Sequence, residues 1–209
     1  RYATKNTYLT SQTTATVGNR IGKWSFWISA NAQDSYAQPL TFVTAGSLPA
    51  GTTGGLVAWN KLGQPADILG ATGILHSDMA TATIKAAYDF SPTLQAAYTL
   101  GLWRNDAHSD VQTYLRDAAG QPTFAGQSGF ASGYYDLVEE HSMQSFALSS
   151  NGTGNWDWRA VGSLYDFNRD TQKSPGSASG SGTTFGSAGK VALLGGTGWS
   201  TLDGQATWH

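Results

Sequence analysis

The chain has no cysteine. That absence removes disulfide staples, iron–sulfur clusters, thiolate zinc sites and cysteine nucleophiles together, and it suits an oxidising compartment entered without cross-links. Charge is scarce as well: Asp, Glu, Lys and Arg supply 12% of the 209 residues, about half the share of a soluble globular domain. Net charge is −2 and the lysines and arginines stand singly, so there is no basic patch for nucleic acid. No apolar run approaches the roughly 20 residues of a membrane-spanning helix, and mean hydropathy is −0.29. No leader is visible either: Arg1-Tyr2-Ala3-Thr4-Lys5-Asn6 runs straight into strand-like sequence. Either a leader has been removed or the chain begins inside something larger.

What is present is glycine, threonine, serine, alanine and tyrosine, a composition suited to β-structure with one apolar and one polar face. Period-two patterning predicts strands over 24–33, 80–90, 93–105, 138–150, 156–168 and 197–208, with a threonine-rich one over 5–17. In 80–90, Ala80, Ala82, Ile84, Ala86, Tyr88 and Phe90 share one face, while Thr81, Thr83, Lys85, Ala87 and Asp89 share the other. A slip of one residue would drive Lys85 and Asp89 into the apolar phase, so the pattern fixes the orientation. Leu94, Ala96, Tyr98, Leu100 and Leu102 repeat it, as do Trp156, Trp158, Ala160, Gly162 and Leu164.

The connections alternate in length. Residues 18–23, 89–93 and 150–155 are tight reversals; 34–79, 106–137 and 170–196 are long excursions. Short turns at one end and long loops at the other are the mark of an outer-membrane β-barrel, whose strands of about 10 residues or more cross the bilayer at a tilt. Trp24, Phe26, Tyr88, Phe90, Trp156 and Trp158 lie beside the short turns, where an interfacial aromatic girdle is expected; the competing reading makes them core aromatics of a β-sandwich. Lys85, Asp89, Gln95, Asn105, Asp157, Arg159, Asp203 and Gln205 are the expected lumen-facing set. Seven strands leave two open edges, which lipid does not tolerate. The chain therefore reads as one partial barrel domain over 1–209, or as a barrel with a further strand hidden in 56–59 or 184–194.

Several stretches carry a family resemblance. Gly18-Asn19-Arg20-Ile21-Gly22-Lys23-Trp24-Ser25-Phe26-Trp27, then Ala30-Asn31-Ala32-Gln33-Asp34-Ser35, resembles early barrel strands of TonB-dependent outer-membrane receptors. So do Ala86-Ala87-Tyr88-Asp89-Phe90-Ser91-Pro92-Thr93-Leu94, Tyr114-Leu115-Arg116-Asp117-Ala118-Ala119-Gly120, Tyr165-Asp166-Phe167-Asn168-Arg169-Asp170 and Gly198-Trp199-Ser200-Thr201-Leu202-Asp203. The resemblance implies an antiparallel transmembrane barrel of about 22 strands in the bacterial outer membrane, filled by a plug domain. It also implies energised uptake of a scarce solute, a ferric siderophore above all. The partners would be outer-membrane lipid, the plug and remaining strands, and the TonB complex. This chain carries no plug and no transducer box, and covers about a third of such a barrel, so most of its lumen-facing residues would meet the plug.

No catalytic motif competes with that expectation. Gly-x-Ser-x-Gly has no strand-to-helix setting, and Gly51-Thr52-Thr53-Gly54-Gly55 and Gly176-Ser177-Ala178-Ser179-Gly180-Ser181-Gly182 lack the lysine of a phosphate loop, so neither an enzyme nor a cofactor is expected. Asn151-Gly152-Thr153 reads as a turn rather than a glycosylation site. His76, His108, His141 and His209 lie apart, in expected loops, at a strand end and at the terminus, and read as solvated rather than metal-bound. Glu139-Glu140-His141 is an acidic cluster at an outer strand end, read as solvated in preference to bridging lipid headgroups through divalent ions. Two other function classes stay open: a plugless porin or small eight-stranded barrel, and a secreted β-sandwich that binds sugars on aromatic platforms.

Overall fold

A computed structural model describes residues 7–152, 154–177 and 188–209. Lys5 and Asn6 of the expected first strand, Thr153, and most of the glycine–serine stretch after 177 lie outside the described residues.

The chain is all-β, an antiparallel sheet of nine strands that does not close. Its long members are β1 (Thr10–Ile21), β2 (Trp24–Tyr36), β5 (Asp67–Ser91), β6 (Leu94–Thr113), β8 (Tyr135–Ser150), β9 (Trp156–Pro175) and β11 (Thr197–Trp208). Each pairs with the next in that order. Two short strands extend existing columns. β3 (Thr41–Ala45) continues along the edge of β5 above β2, and β10 (Gly189–Leu193) continues along β9 above β11. A small ribbon of β4 (Thr53–Gly54) with β7 (Leu115–Arg116), and one helical turn, α1 (Ser128–Gly133), complete the described elements.

The tight reversals form where small or turn-prone residues allow them. Gly22 adopts φ 59° between the paired residues Ile21 and Trp24, the positive value that the first position of a two-residue type II′ hairpin demands. The expected reversal over 18–23 thus narrows to Gly22-Lys23, and β1 runs straight through Gly18. Pro92-Thr93 closes the second hairpin after Phe90 bulges out of the ladder, and Ser91 Oγ accepts the Thr93 amide at 3.2 Å. In the third, the Gly152 amide bonds Asp157 Oδ1 at 2.8 Å.

The long excursions are largely not loops. β5 has 25 residues, about 80 Å of strand at ~3.3 Å per residue, and β6 and β9 also run well past the expected ends. Hence His76 and His108, expected in loops, stand on strands. Of the two proposed hidden strands, β10 falls within 184–194, while Leu56 and Trp59 make only isolated bridges to Ile68 and Pro65.

The buried core sits at this extended end. Leu69, Val111, Leu115, Phe124, Phe130 and Ala131 pack where the segment between β6 and β8 folds back across the sheet. Gly70 makes room for it: a Cβ there would lie 2.5 Å from the Phe130 ring. Ser109 Oγ donates to Gly133 O at 2.7 Å and Thr113 Oγ1 to Thr123 O at 2.6 Å, tying this roof to β6. Burial, with a smaller push from Tyr8, raises the Tyr114 phenol above its ordinary value; burial followed by Asp136 and Asp110 does the same to Tyr134.

Phe130 is fully buried, so Phe130→Ala should weaken the roof by about 3–5 kcal/mol. Hydrogen exchange should speed up across residues 115–134 and stay unchanged in 24–33; uniform acceleration in both would show that the roof and the strands are one unit.

Candidate functional site

The pleat divides the sheet into two faces of opposite character. On one, Trp24, Phe26, Ile28, Ala30 and Ala32 of β2 lie opposite Tyr88, Ala86, Ile84, Ala82 and Ala80 of β5. β6 continues the face with Ala96, Tyr98, Leu100 and Leu102, and β9 with Trp158, Ala160, Gly162 and Leu164. No second layer covers this face among the described residues: Ile84 and Tyr98 are each 39% exposed, against the burial a sandwich core would impose.

All six expected girdle residues fall on this apolar face at the tight-turn end. Trp24 and Tyr88 rings meet at 4.7 Å, Phe90 stands edge-on to Tyr88 at 5.0 Å, and Trp156 meets Trp208 at 4.9 Å. Toward the other end the apolar stretch stops abruptly. Asp34, Asp78 and Asp106 stand in one cross-strand row, and Arg104, Glu140 and Arg169 in the next. His76 and His108 extend this charged zone, bonding Asp34 at 2.9 Å and Asp136 at 2.6 Å.

The opposite face holds all eight residues of the expected lumen-facing set, spread along it rather than gathered at one point. Asp89 accepts from Gln95 Nε2 at 2.7 Å and from Arg20, a residue the sequence reading passed over, at 2.6 Å. Lys85 Nζ lies 5.4 Å from the Trp27 ring centre, a cation–π contact on the same face. Arg159 stands between Ser149 and Gln205 in register, and Asp203 accepts from Thr201 Oγ1 at 3.2 Å. Asp157 bonds His209 Nε2 at 2.8 Å. Asn105 Nδ2 donates to Glu139 Oε2 at 2.8 Å.

Near Asn105 the polar face changes character. Trp103, His141, Tyr165, Phe167 and Trp199 form a chain of ring contacts there, with Tyr165 and Trp199 stacked at 4.3 Å. His141 is 8% exposed, which corrects its solvated reading, while Glu139 and Glu140 are half-buried. Its Nδ1 pairs with the Tyr165 hydroxyl at 2.9 Å, and its Nε2 lies 3.6 Å from Asp170 Oδ2. Glu139 joins them, and one donor atom from each of the three residues lies within 4.8 Å of the others.

Asp170 reaches this face through a defect in the ladder. Glu140 pairs with Arg169 but His141 pairs with Phe167, so Asn168 is an extra residue and the alternation of β9 inverts beyond it. Simple odd–even counting puts Arg169 on the polar face; the bulge puts Asp170 there instead.

No protein-family model, curated protein or solved structure matches this chain.

The Arg20–Asp89 pair is two-thirds exposed on its arginine side. Asp89→Asn is therefore expected to change unfolding free energy by less than about 1 kcal/mol, and by still less at high salt. Urea titrations at two ionic strengths check this; a larger, salt-independent loss would mean that the pair is shielded from water.

Proposed function

We propose that this chain is part of the wall of an outer-membrane β-barrel of the TonB-dependent receptor kind. It would serve energised uptake of a scarce solute, with a ferric siderophore the leading candidate. The observation that carries the reading is the uncovered apolar face. Its extent on β2, from Trp24 to Ala32 before the charge of Asp34, is close to the roughly 9–11 residues of a tilted crossing strand. Aromatics bound it on the side of the tight turns and charges on the side of the roof. An apolar surface this continuous, if left in water, would drive association; hydrocarbon is the solvent that suits it.

The open edges support the same reading. Among the described residues the outer sides of β1 and β11 have no strand partner. Unpaired backbone groups in lipid cost several kcal/mol each, so further strands have to complete the wall. In this proposal the polar face looks into the barrel, where a plug and passing solute would meet it. The chain supplies surface and loops rather than catalysis. The receptor assignment itself rests on the sequence resemblance.

Brominated lipid should quench the fluorescence of Trp24, Trp156 and Trp158 in single-tryptophan variants, and leave Trp27 and Trp103 on the other face unaffected. Equal quenching of both groups would remove the two-sided membrane reading. Ile84→Lys, near the middle of the apolar band, should cost about 2–4 kcal/mol in detergent or lipid unfolding, whereas Thr83→Lys on the polar face should cost a small fraction of that. Uptake of radiolabelled ferric siderophore by cells should stop when the proton gradient is collapsed. Uptake that continues, with ion conductance in planar bilayers, would favour the plugless channel.

A further inference from the structure

We infer that Glu139, His141 and Asp170 form a binding site for a divalent first-row transition cation of the zinc class, set into the polar face of the sheet. Glu139 and His141 are two residues apart on β8, so both point to one face. The bulge at Asn168 brings Asp170 of β9 beside them. The residues therefore come from adjacent hydrogen-bonded strands, which hold their backbone positions without help from a flexible loop.

The independent sign of a ligand is His141 itself. More than nine-tenths of it is buried, and its Nε2 has no hydrogen-bond partner while facing a carboxylate oxygen at 3.6 Å. Buried polar atoms are almost always bonded, and 3.6 Å is too long for a hydrogen bond. It is close to the separation of about 3.4 Å between two donors that each sit roughly 2.1 Å from a tetrahedral zinc. The nitrogen and the carboxylate are spaced for an ion between them rather than for each other.

The surroundings match what a ligating imidazole requires. Nδ1 is held by the Tyr165 hydroxyl at 2.9 Å, the kind of outer hydrogen bond that fixes ring orientation and leaves the second nitrogen for the metal. Trp103 and Phe167 rings close on the imidazole at 4.8 and 4.3 Å and keep water away. Asn105, also nine-tenths buried, steadies Glu139 through its amide nitrogen while its Oδ1 has no partner. Among the described residues neither Glu139 nor Asp170 forms an ion pair with a lysine or arginine, and the one cationic group within reach of either is the His141 imidazole itself, 3.6 Å from Asp170. A divalent cation supplies positive charge to both carboxylates.

The donor set selects the metal class. One imidazole nitrogen with two carboxylates suits divalent first-row ions such as zinc, cobalt, manganese or Cu(II), whereas calcium and magnesium prefer all-oxygen shells and Cu(I) needs sulfur, which this site lacks. The ion would cross-link β8 to β9 at the level where their register breaks. The site rests on strand register and on the buried His141 nitrogen, and stands apart from the uptake proposal.

The test uses the whole protein purified in detergent and freed of metal with a chelator, then titrated with Zn²⁺ against a chromophoric competitor. A single equivalent should bind, with Ca²⁺ and Mg²⁺ held at least about a hundredfold more weakly. Asp170→Asn and His141→Gln should each weaken Zn²⁺ by tenfold or more, since even outer-shell changes cost about 10–100-fold. Glu140→Gln, on the opposite face, should leave the affinity unchanged. X-ray absorption at the zinc edge should show nitrogen and oxygen neighbours and no sulfur. Should His141→Gln fail to fold, Glu139→Gln takes its place in the series. Absence of binding by Zn²⁺, Co²⁺ and Mn²⁺, or full affinity in the Asp170→Asn and Glu139→Gln proteins, would overturn the site.

Discussion

A pleated strand gives each side chain only two directions, and in this sheet that single restriction decides nearly everything else. Seven long columns lie side by side, and between their bulges the parity of a residue determines whether it joins the apolar band or the polar face. Ile28, Ile84 and Leu100 stand side by side for that reason, as do Trp27, Lys85 and Thr99. Neither face holds the other by packing. The sheet is held by its backbone ladder, and its side chains are free to suit two different surroundings.

The roof supplies what the ladder cannot. There side chains pack in depth, around Phe124 and Phe130, and the roof covers the polar face rather than the apolar one. The consecutive burial of residues 68–73 marks where β5 passes beneath it and is enclosed on both sides. One end of the polar face is thus enclosed by the chain's own fold, while the tight-turn end, with Arg20, Asp89 and Gln95, lies open.

Much of this was legible in the sequence, because alternation is a local property. The strand over 197–208 coincides with β11, the start of β2 at Trp24 was readable, and the eight polar candidates from Lys85 to Gln205 do share a face. What could not be read depends on contacts distant along the chain. The outer half of β5 lacks clean alternation, since residues of both parities are buried over 68–73, and the outer halves of β6 and β9 are rich in polar residues, so all three read as loops. Arg20 is not legible as a polar-face residue because the threonine-rich β1 has no clear phase. His141 reads as solvated until Tyr165 and Phe167 are placed beside it, and Asp170 sits at a position whose parity an unmarked bulge inverts. Asn168 carries no glycine-like signature that would announce such a bulge.

β9 shifts register on one side and changes partner on the other at nearly the same point. Its register to β8 breaks at Asn168, and its other neighbour passes from β11 to β10 between Phe167 and Thr171. Only two amides from the crossing segment, Leu194 to Asp170 at 2.9 Å and Gly196 to Phe167 at 2.7 Å, bridge the interval. Asp170 stands where β9 exchanges one neighbour for the other, its carbonyl held by the Leu194 amide and its carboxylate turned to the imidazole ring beside it.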